Sequence, residues 1–528
     1  MKVFICFIML LCTTCIGAQD NCSALMPMPN SVVQGKGNPF EISANKTTIY
    51  VNHSDLEFSA LTLQKILNEQ MQLEIPLSES SESSVRLLID PEMKGEEHYC
   101  IEVNADKLLI RGASCRAVFY GVMTLDQLFM GDVCMTKQKR IAPVVIDDSP
   151  RFPYRALMID PARHFLPVED VKFYIDQMVR YKYNILQLHL TDDQGWRIEI
   201  KKHPQLASPE HYTQEELQDL IQYAALRNVE IIPELDVPGH TVSILATCPE
   251  LGCTSSDTIV REVGKTTNLM LCASNEKVYS IYDDIIDEVA DLFPSKYIHL
   301  GGDESVIDKN WGQCEKCQAQ MKQLGYQKAS QLMIPFFNRM FDFLKQKRKL
   351  PILWCELDSI HLPVNDFLFP YPKHVTLVSW RGQLTPACLE LTTRSGNALI
   401  MAPGEYAYLD YPQLKGDLPE FNNWGMPVTT LKQCYQFDPG YGVPENKQTH
   451  IQGIMGTLWG EAMLDINRVT YMTYPRAMAL AEAGWTTMEN RDWESFKQRL
   501  YPNLTWLMKK GVFVRVPFEI VNRSSFCH

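Results

Sequence analysis

The sequence predicts an α/β protein in which an imperfect (β/α)8 TIM barrel follows a smaller α+β domain. Two observations support this prediction: the residue pattern changes after Pro150, and beyond it eight short apolar segments alternate with amphipathic helices. Such segments are typical of parallel strands that are covered on both faces, and eight strand–helix units can close into a barrel. We therefore expect an N-terminal domain over residues 19–150 and a barrel domain over residues 151–528.

The N-terminal domain has a mixed pattern of short strands and helices. Strands are predicted at residues 48–51, 85–89, 100–103 and 108–111. Helices are predicted at residues 61–69 and 116–129, where apolar residues recur three and four positions apart. Between them, residues 78–84 are rich in serine and glutamate and form a predicted loop. No residue pattern in this domain indicates chemistry.

The barrel is predicted from its strands and from the helices between them. The predicted strands are residues 155–160, 185–189, 230–234, 297–300, 351–355, 376–379, 398–401 and 452–457. The intervening helices have one apolar face, as at Val171, Tyr174 and Ile175. Residues 357–374 are rich in proline and aromatic residues and lack a helical pattern, so we expect an irregularity there. An open, doubly wound sheet is the alternative, but no Gly-x-Gly-x-x-Gly loop follows any predicted strand.

Composition and charge exclude several classes of partner. The 528 residues, 45% hydrophobic and 21% charged, have the composition of a soluble globular protein with a large core. The formal net charge of −13 argues against nucleic acid or an anionic membrane, because both carry the same sign. No segment beyond the N-terminus is long and apolar enough to predict a transmembrane helix.

The N-terminus indicates export. Lys2 precedes a short apolar run, and small residues follow at positions 17 and 18, which predicts a secretory signal peptide over residues 1–18. Asn-x-Ser/Thr triplets agree with export and with glycosylation. They begin at Asn21, Asn45, Asn52, Asn503 and Asn522. The predicted destination is the secretory pathway, and lysosomal delivery and secretion are both open.

The cysteines suggest disulfides rather than a metal. Three of the 16 cysteines lie in the predicted signal peptide, and several of the others should pair in an oxidising compartment. Cys314 and Cys317 form a Cys-x-x-Cys motif, but no second pair at zinc-finger spacing accompanies it. We therefore expect no metal site, and the sequence predicts no cofactor.

The candidate functional residues follow the predicted strands, because the site of a parallel barrel lies at the carboxyl ends of its strands. In chain order they are Arg163 and His164; Asp192 and Asp193; Asp236 and His240; Asp303 and Glu304; Trp354 and Glu356; Trp380 and Arg381; Tyr406, Tyr408 and Asp410; and Trp459 and Glu461. Several carboxylates and three tryptophans thus converge on one rim.

Carboxylates mixed with tryptophans suit the cleavage of a sugar. Tryptophan rings stack on the apolar faces of pyranose rings, and a carboxylic acid with a raised pKa can protonate the departing oxygen. Asp303 and Glu304 are the central candidates, because adjacent negative charges oppose simultaneous ionisation. Both can face one substrate only if the backbone departs from the pleat, which Gly301 and Gly302 permit.

The segments that carry these residues resemble the motifs of family 20 glycoside hydrolases, the β-N-acetylhexosaminidases. Residues 299–304, HLGGDE, are similar to the signature of that family. Three further motifs occur in the same order as in the family, DPARHF at 160–165, HLTDDQGWR at 189–197 and PELDVPGH at 233–240, and WGE at 459–461 is a fifth. The domain that precedes the barrel is also similar to the one usual in this family.

The resemblance implies an exo-acting enzyme that removes terminal N-acetylglucosamine or N-acetylgalactosamine by substrate-assisted, retaining hydrolysis. Glu304 would be the general acid and base, Asp303 would orient the acetamido group, and Tyr408 would bind its oxygen. The substrate-binding residues implied are Arg163, Asp192, His240, Trp354, Trp380, Tyr408, Asp410, Trp459 and Glu461. The resemblance also makes a homodimer an expectation.

The resemblance also implies separate roles for individual binding residues. Arg163 and Glu461 would hold ring hydroxyls, whereas Asp192 and His240 match supporting polar positions and Asp236 would support His240. Asp410 matches a position where some members carry residues suited to 6-sulfated sugars. An acid there should repel a sulfate and favour neutral sugars.

Two other functions stay open. One is a glycosidase that uses two separated carboxylates, such as Glu234 and Glu304, and forms a covalent glycosyl-enzyme. The other is a catalytically silent carbohydrate-binding protein on the same fold. A substrate without the acetamido group distinguishes the first from the substrate-assisted mechanism, and turnover of any kind excludes the second.

Overall fold

A computed structural model describes residues 21–131, 140–253, 269–356, 371–417 and 426–520. Within these residues eight parallel strands close a barrel, and a separate sheet precedes it, so the predicted fold class is confirmed. The predicted signal peptide and Asn522 lie outside the described residues. No helix in the described part of the chain has the length and apolar character that a bilayer crossing requires.

The N-terminal domain is a six-stranded mixed sheet with two helices and a separate two-stranded pair. Its strands are β1 (Ser31–Gln34), β2 (Phe40–Glu41), β3 (Ile49–Val51), β4 (Val85–Ile89), β5 (Tyr99–Val103), β6 (Leu108–Gly112), β7 (Arg140–Ile141) and β8 (Val144–Asp148). The sheet order is β1-β8-β5-β6-β4-β3, and β2 pairs with β7. The helices are α1 (Glu57–Met71) and α2 (Cys115–Leu128).

The sequence predicted β3 to β6 and both helices of this domain and missed the other four strands. Three of the missed strands are short or exposed, and β1 has no buried residue. The fourth, β8, alternates between buried and exposed residues, with Val144 and Ile146 inside. It pairs with β5 in the middle of the sheet, so its stability depends on that distant partner rather than on its own five residues.

The barrel strands run parallel, and each pairs with its sequence neighbour. They are β9 (Tyr154–Ile159), β10 (Ile185–Thr191), β11 (Glu230–Leu235), β12 (Tyr297–His299), β13 (Leu350–Trp354), β14 (Thr376–Ser379), β15 (Leu399–Met401) and β16 (Ile451–Leu458). Strand β16 pairs with β9, from Gly453 opposite Tyr154 to Leu458 opposite Ile159, and this closes the barrel. All eight predicted strands are present, with ends that differ by at most two residues.

Most of the barrel helices pack outside the strands, which explains why the strands are apolar on both faces. The helices are α3 (Val168–Met178), α4 (Gln214–Leu226), α5 (Val242–Thr247), α6 (Glu276–Leu292), α7 (Glu315–Leu324), α8 (Met333–Gln346), α9 (Thr385–Ser395), α10 (Gly404–Ala407), α11 (Leu431–Gln436), α12 (Ile466–Thr473), α13 (Arg476–Trp485) and α14 (Trp493–Lys509). Between β13 and β14, the described residues 355, 356 and 371–375 contain no helix, and the rest of the predicted irregular segment lies outside the description.

Buried charges join the two domains. Lys182, fully buried beside the barrel, has its Nζ 3.1 Å from Oδ2 of Asp148 at the end of β8. Arg155 in β9 forms a second buried ion pair, with Nη1 2.8 Å from Oε2 of Glu97. Charges removed from water in this way require their partners. The N-terminal domain is therefore fixed against the barrel.

One predicted glycosylation site is buried. The Asn503 side chain is fully buried in α14, and its Nδ2 donates hydrogen bonds to the backbone carbonyls of Ala24 and Arg499. A side chain held in this way cannot carry a glycan in the folded protein, so Asn503 is excluded as an acceptor. Asn45 and Asn52 are exposed.

Candidate active site

The chain leaves the strand pleat at the end of β12. Gly301 and Gly302 have φ angles of +61° and +97°, and Glu304 has φ of +45°. Only glycine fits at Gly301, because a Cβ there would overlap with the Asp236 carboxylate. The Gly302 N–H donates to Oδ1 of Asp236 over 3.1 Å. The Asp236 side chain therefore holds this turn.

This turn directs the Asp303 and Glu304 carboxylates to the same side of the barrel. Oδ2 of Asp303 lies 3.9 Å from Nε2 of His240, and Oε2 of Glu304 lies 3.7 Å from the same nitrogen. The Asp303 side chain is 9% exposed, whereas that of Glu304 is 36% exposed. The two acids thus differ in environment: Asp303 lies at depth and Glu304 at the solvent-accessible edge.

Burial raises the pKa of the Asp303 carboxyl, and the neighbouring Glu304 adds to this, although His240 acts in the opposite direction. Oδ1 of Asp303 has no hydrogen-bond partner among the described residues. A buried carboxylate oxygen without a partner is costly unless a ligand supplies a donor. Asp303 is therefore ready to accept a hydrogen bond from a bound molecule.

A chain of charged side chains orients His240 behind the two acids. Nδ1 of His240 lies 3.2 Å from Oδ2 of Asp192, which in turn lies 2.8 Å from Nη2 of Arg163. Nη1 of Arg163 lies 2.9 Å from Oδ2 of Asp160. Although burial opposes ionisation of Asp192, Arg163 and His240 hold the pKa of this carboxyl well below its usual range.

His240 carries a positive charge as a result. Burial favours the neutral imidazole, but Asp192 outweighs it and raises the pKa of His240 well above its usual value. Burial and the adjacent Asp303 raise the pKa of Asp236. Asp236 therefore does more than support His240 as the sequence suggested, because it also holds the backbone turn that precedes the two acids.

Aromatic rings form the floor and walls beside these groups. Trp354 is 1% exposed and lies at the floor, with its ring centroid 5.6 Å from that of Trp459. Tyr408 contacts Trp459, with ring centroids 6.3 Å apart. Trp380 carries the Arg381 guanidinium over its ring, 4.2 Å from the centroid. The structure thus brings the predicted aromatic residues together, with Trp354 deeper than the others.

Arg163, Asp410 and Glu461 form a second polar group on the same rim. The Arg163 guanidinium lies over the Trp459 ring, 5.0 Å from its centroid. Burial raises the pKa of the Glu461 carboxyl, and Arg163 acts in the opposite direction. Burial and the nearby Glu461 raise the pKa of Asp410, whose Oδ1 lacks a hydrogen-bond partner within the described residues. This end of the site therefore offers both donors and acceptors to a polar ligand.

Glu356 and Arg381 lie at the rim, as their sequence positions predict, although the sequence indicated no role for them. Nη2 of Arg381 lies 3.6 Å from Oε1 of Glu304 and 3.5 Å from Oε1 of Glu356. Burial raises the pKa of Glu356 to about 8, although Arg381 acts in the opposite direction. Glu356 is therefore neutral at neutral pH, and the Arg381 charge acts mainly on Glu304. In the sequence, only the positions of Glu356 and Arg381 just after strands β13 and β14 indicated that they belong to the site.

Glu234, the second acid of the two-carboxylate alternative, faces the barrel interior. It is fully buried, and it accepts hydrogen bonds of 2.8 Å from Trp354 Nε1 and from Gln187 Nε2. His189 Nδ1 lies 2.9 Å from its Oε2. These partners outweigh burial and lower the pKa of Glu234 to about 2. Glu234 thus has the environment of a structural carboxylate rather than of a nucleophile.

The ligand atoms of His240, Asp303 and Glu304 lie within 4.8 Å of one another. Nδ1 of His240 is already paired with Asp192, so the imidazole presents only its Nε2 to the two acids. The cysteines differ from the prediction. Cys314 and Cys317, which lacked a second pair in the sequence, meet Cys253 and Cys272 in the folded chain.

Comparisons with known proteins show which proteins this chain is similar to. The sequence profile described as "Glycosyl hydrolase family 20, catalytic domain" matches residues 152–488, and the profile of domain 2 of that family matches residues 23–149. A β-hexosaminidase of Akkermansia muciniphila is 35% identical over 82% of this chain and 89% of its own.

Two solved structures are similar over nearly the whole chain. An exo-β-N-acetylglucosaminidase from Vibrio harveyi in complex with N-acetylglucosamine has a TM-score of 0.81 and 29% identity, over 94% of this chain and 79% of its own. An N-acetyl-β-hexosaminidase from Streptomyces plicatus in complex with Thio-NAglucal has a TM-score of 0.77 and 28% identity, over 96% and 99% of the respective chains.

Proposed function

The chain belongs to glycosyl hydrolase family 20 and is a β-N-acetylhexosaminidase, and we propose that Asp303 and Glu304 perform its substrate-assisted, retaining reaction on terminal N-acetylhexosamines. One observation supports this assignment most directly. Both carboxylates lie within 4 Å of the same His240 nitrogen, so they face one ligand from the same side. One acid can therefore act on the bridging oxygen while the other holds the acetamido group.

In the first step the acetamido oxygen of the substrate attacks the anomeric carbon and the glycosidic C–O bond breaks. Glu304 gives its proton to the departing oxygen, and an oxazolinium ion forms. In the second step Glu304 takes a proton from water, whose oxygen attacks the anomeric carbon and opens the ring. Two inversions at this carbon give net retention. Arg381 and His240, both cationic beside Glu304, stabilise its carboxylate between the steps.

Asp303 has the environment that the internal nucleophile requires. Positive charge develops on the acetamido nitrogen as its oxygen attacks, and a carboxylate that accepts the N–H stabilises that charge. Removal of Asp303 from bulk water strengthens this interaction. The unpartnered Oδ1 provides the acceptor. Tyr408, on the wall beside Trp459, donates from its hydroxyl to the acetamido oxygen.

The rim residues bind the sugar ring and limit the substrate to a chain end. Arg163 and Glu461 hold ring hydroxyls, and Trp354, Trp380 and Trp459 pack against the apolar faces of the ring. Asp410, beside Glu461, supplies no positive charge that could bind a sulfate, and this favours neutral N-acetylglucosamine or N-acetylgalactosamine. These contacts surround a terminal residue, which makes the action exo.

The substitution Glu304→Gln tests the assignment of the acid. We expect kcat/KM on a 4-nitrophenyl or oligosaccharide glycoside to fall by about 10²–10⁴-fold, the usual contribution of a general acid. A 2,4-dinitrophenyl glycoside needs little protonation and should retain far more of its rate. Glu390→Gln, an exposed glutamate on α9, is the matched control and should have no effect. Full activity of Glu304→Gln on an oligosaccharide would refute the assignment.

The alternatives have their own tests. A two-carboxylate enzyme does not need the acetamido group, so 4-nitrophenyl β-glucoside should be hydrolysed at a comparable rate. The substrate-assisted mechanism requires that the enzyme lose nearly all activity on this glucoside, because the glucoside has no acetamido group. A silent binding protein would turn over neither substrate at any pH between 4 and 8.

We propose further that the protein enters the secretory pathway, where it is glycosylated and is delivered to lysosomes or secreted. The apolar N-terminus and the exposed triplets at Asn45 and Asn52 support this. N-terminal sequencing of the mature protein should begin near residue 19. Peptide-N-glycosidase should change the mass at Asn45 or Asn52 but not at Asn503. Light scattering tests the expected homodimer.

A further inference from the structure

Four cysteines from two separate parts of the barrel domain meet beside the active-site loops. Cys253 follows the loop after β11, and Cys272 precedes α6. Cys314 and Cys317 lie at the N-terminus of α7. Their sulfur atoms all lie within 4.8 Å of one another; three of the cysteines are buried and Cys253 is half-buried. We call these four residues the cysteine cluster.

The distances within the cluster match a tetrahedral metal site. Sγ of Cys272 lies 3.6 Å from that of Cys317 and 3.9 Å from that of Cys314, and the sulfurs of Cys253 and Cys317 lie 3.9 Å apart. Four thiolates at the zinc–sulfur distance of about 2.3 Å, in a tetrahedron, are separated by about 3.8 Å. From this agreement we propose that the cysteine cluster binds one structural Zn²⁺.

Two disulfides are the competing arrangement in an oxidising compartment. They would join the sulfurs in two pairs at about 2.0 Å and would separate the pairs. The cluster shows no such pairing, because Cys272 is almost equally distant from Cys314 and Cys317. Cys355 and Cys388 provide the contrast, with sulfur atoms 2.9 Å apart as a simple pair. The geometry thus favours a shared central ion in the cluster.

The donor set also identifies the metal and its role. Four thiolates are soft ligands that select Zn²⁺ over Ca²⁺ or Mg²⁺. They fill all four tetrahedral positions, which leaves none for water or substrate. The bound ion would therefore stabilise the fold and would take no part in the hydrolysis.

The cluster connects the two loops that carry the central acids and their histidine. Leu271, next to Cys272, donates its N–H to the Pro238 carbonyl over 3.0 Å, close to His240. Nε1 of Trp311, in the segment between Glu304 and Cys314, donates to the Leu271 carbonyl over 2.8 Å. A zinc ion at the cluster would therefore tie the loop after β11 to the loop after β12.

Metal content provides the first test, and it does not depend on enzymatic turnover. The full chain, secreted from a eukaryotic host in zinc-containing medium, is purified without chelator or reductant. We expect mass spectrometry of the metals to find about one zinc per chain. The double variant Cys314→Ser/Cys317→Ser should lose it, whereas Cys115→Ser, in α2 of the other domain, should keep it. Zinc-free wild-type protein that is folded by circular dichroism would overturn the proposal.

A second measurement uses wild-type protein only, in case the double variant does not fold. The protein is denatured with chelator but without reductant, alkylated, and mapped as peptides. A zinc site predicts that all four cysteines are alkylated, and replacement by Co²⁺ should give the absorption bands of tetrahedral cobalt thiolate. Disulfide-linked peptides among the four cysteines would refute zinc binding. If protein with these disulfides still hydrolyses its substrate, the zinc proposal fails but the hydrolase assignment stands.

Discussion

Glu356 makes a prediction that can be worked out quantitatively. Its carboxyl has an ordinary pKa of 4.5 in the unfolded chain, and burial raises the pKa to about 8 in the folded protein. Between these values the folded state keeps a proton that the unfolded state releases. The stabilisation from this proton is complete below pH 4.5 and is lost as the pH rises towards 8. Rising pH therefore destabilises the protein through this group.

The substitution Glu356→Gln isolates the effect, because glutamine has the shape of the neutral acid and cannot ionise. From pH 5 to pH 7.5 the cost of keeping Glu356 protonated grows by about 3 kcal/mol. For a cooperative unit the size of the barrel this corresponds to a change in Tm of about 4 °C. We therefore expect the Tm of Glu356→Gln minus the Tm of the wild type to be larger at pH 7.5 than at pH 5 by this amount.

Differential scanning calorimetry or fluorimetry at pH 5, 6, 7 and 7.5 provides the measurement. The exposed variant Glu390→Gln is the control and should run parallel to the wild type at every pH. If the Tm difference between Glu356→Gln and the wild type stays constant from pH 5 to pH 7.5, Glu356 does not hold a proton in the folded state. The description of Arg381 as a charge directed mainly at Glu304 would then fail as well.

Three further substitutions test other parts of the structure. Gly301→Ala should lower kcat/KM by ~100-fold or more, because the new Cβ displaces the turn that orients both acids. The control is Gly325→Ala, at φ +71° in open space. It should cost only about 1 kcal/mol of stability and leave kcat/KM unchanged. Asp148→Asn should destabilise the fold by about 3–5 kcal/mol in urea titrations, because it leaves the Lys182 ammonium buried without its counter-charge; a loss below 1 kcal/mol would contradict this. Tyr408→Phe should reduce kcat/KM by about 10²–10³-fold through loss of one donor to the acetamido oxygen, with an unchanged Tm, and an unaltered rate would remove Tyr408 from the mechanism.

The raised pKa values of the buried acids at the site all change the stability of the fold in the same direction as the pH changes. Asp236, Asp303, Asp410 and Glu461 all bind protons more tightly in the folded state than in the unfolded chain, chiefly because they are buried. Like Glu356, each of them adds stability at low pH that is lost as the pH rises. The arrangement favours stability in an acidic environment, the condition of the lysosomal alternative among the proposed destinations.

The sequence determined the barrel and the rim because both depend on local patterns. Each barrel strand is a short apolar run, and the residue that ends the run lies at the carboxyl edge of the sheet wherever the strand is placed. The order of the motifs therefore predicts the positions of Asp303, Glu304, His240 and Tyr408 on the rim without knowledge of their contacts. The Gly301-Gly302 pair likewise indicated that the backbone turns before the acids.

Only the tertiary structure decided which of these groups are free to react and which are already partnered. Glu234 in β11 and Glu304 after the neighbouring β12 are the same residue type. Yet Glu234 is saturated by Gln187, His189 and Trp354, whereas Glu304 reaches solvent. Burial and partners come from contacts between distant segments, which a local pattern does not contain. For the same reason the fold, and not the spacing, brought Cys253 and Cys272 to the Cys-x-x-Cys motif.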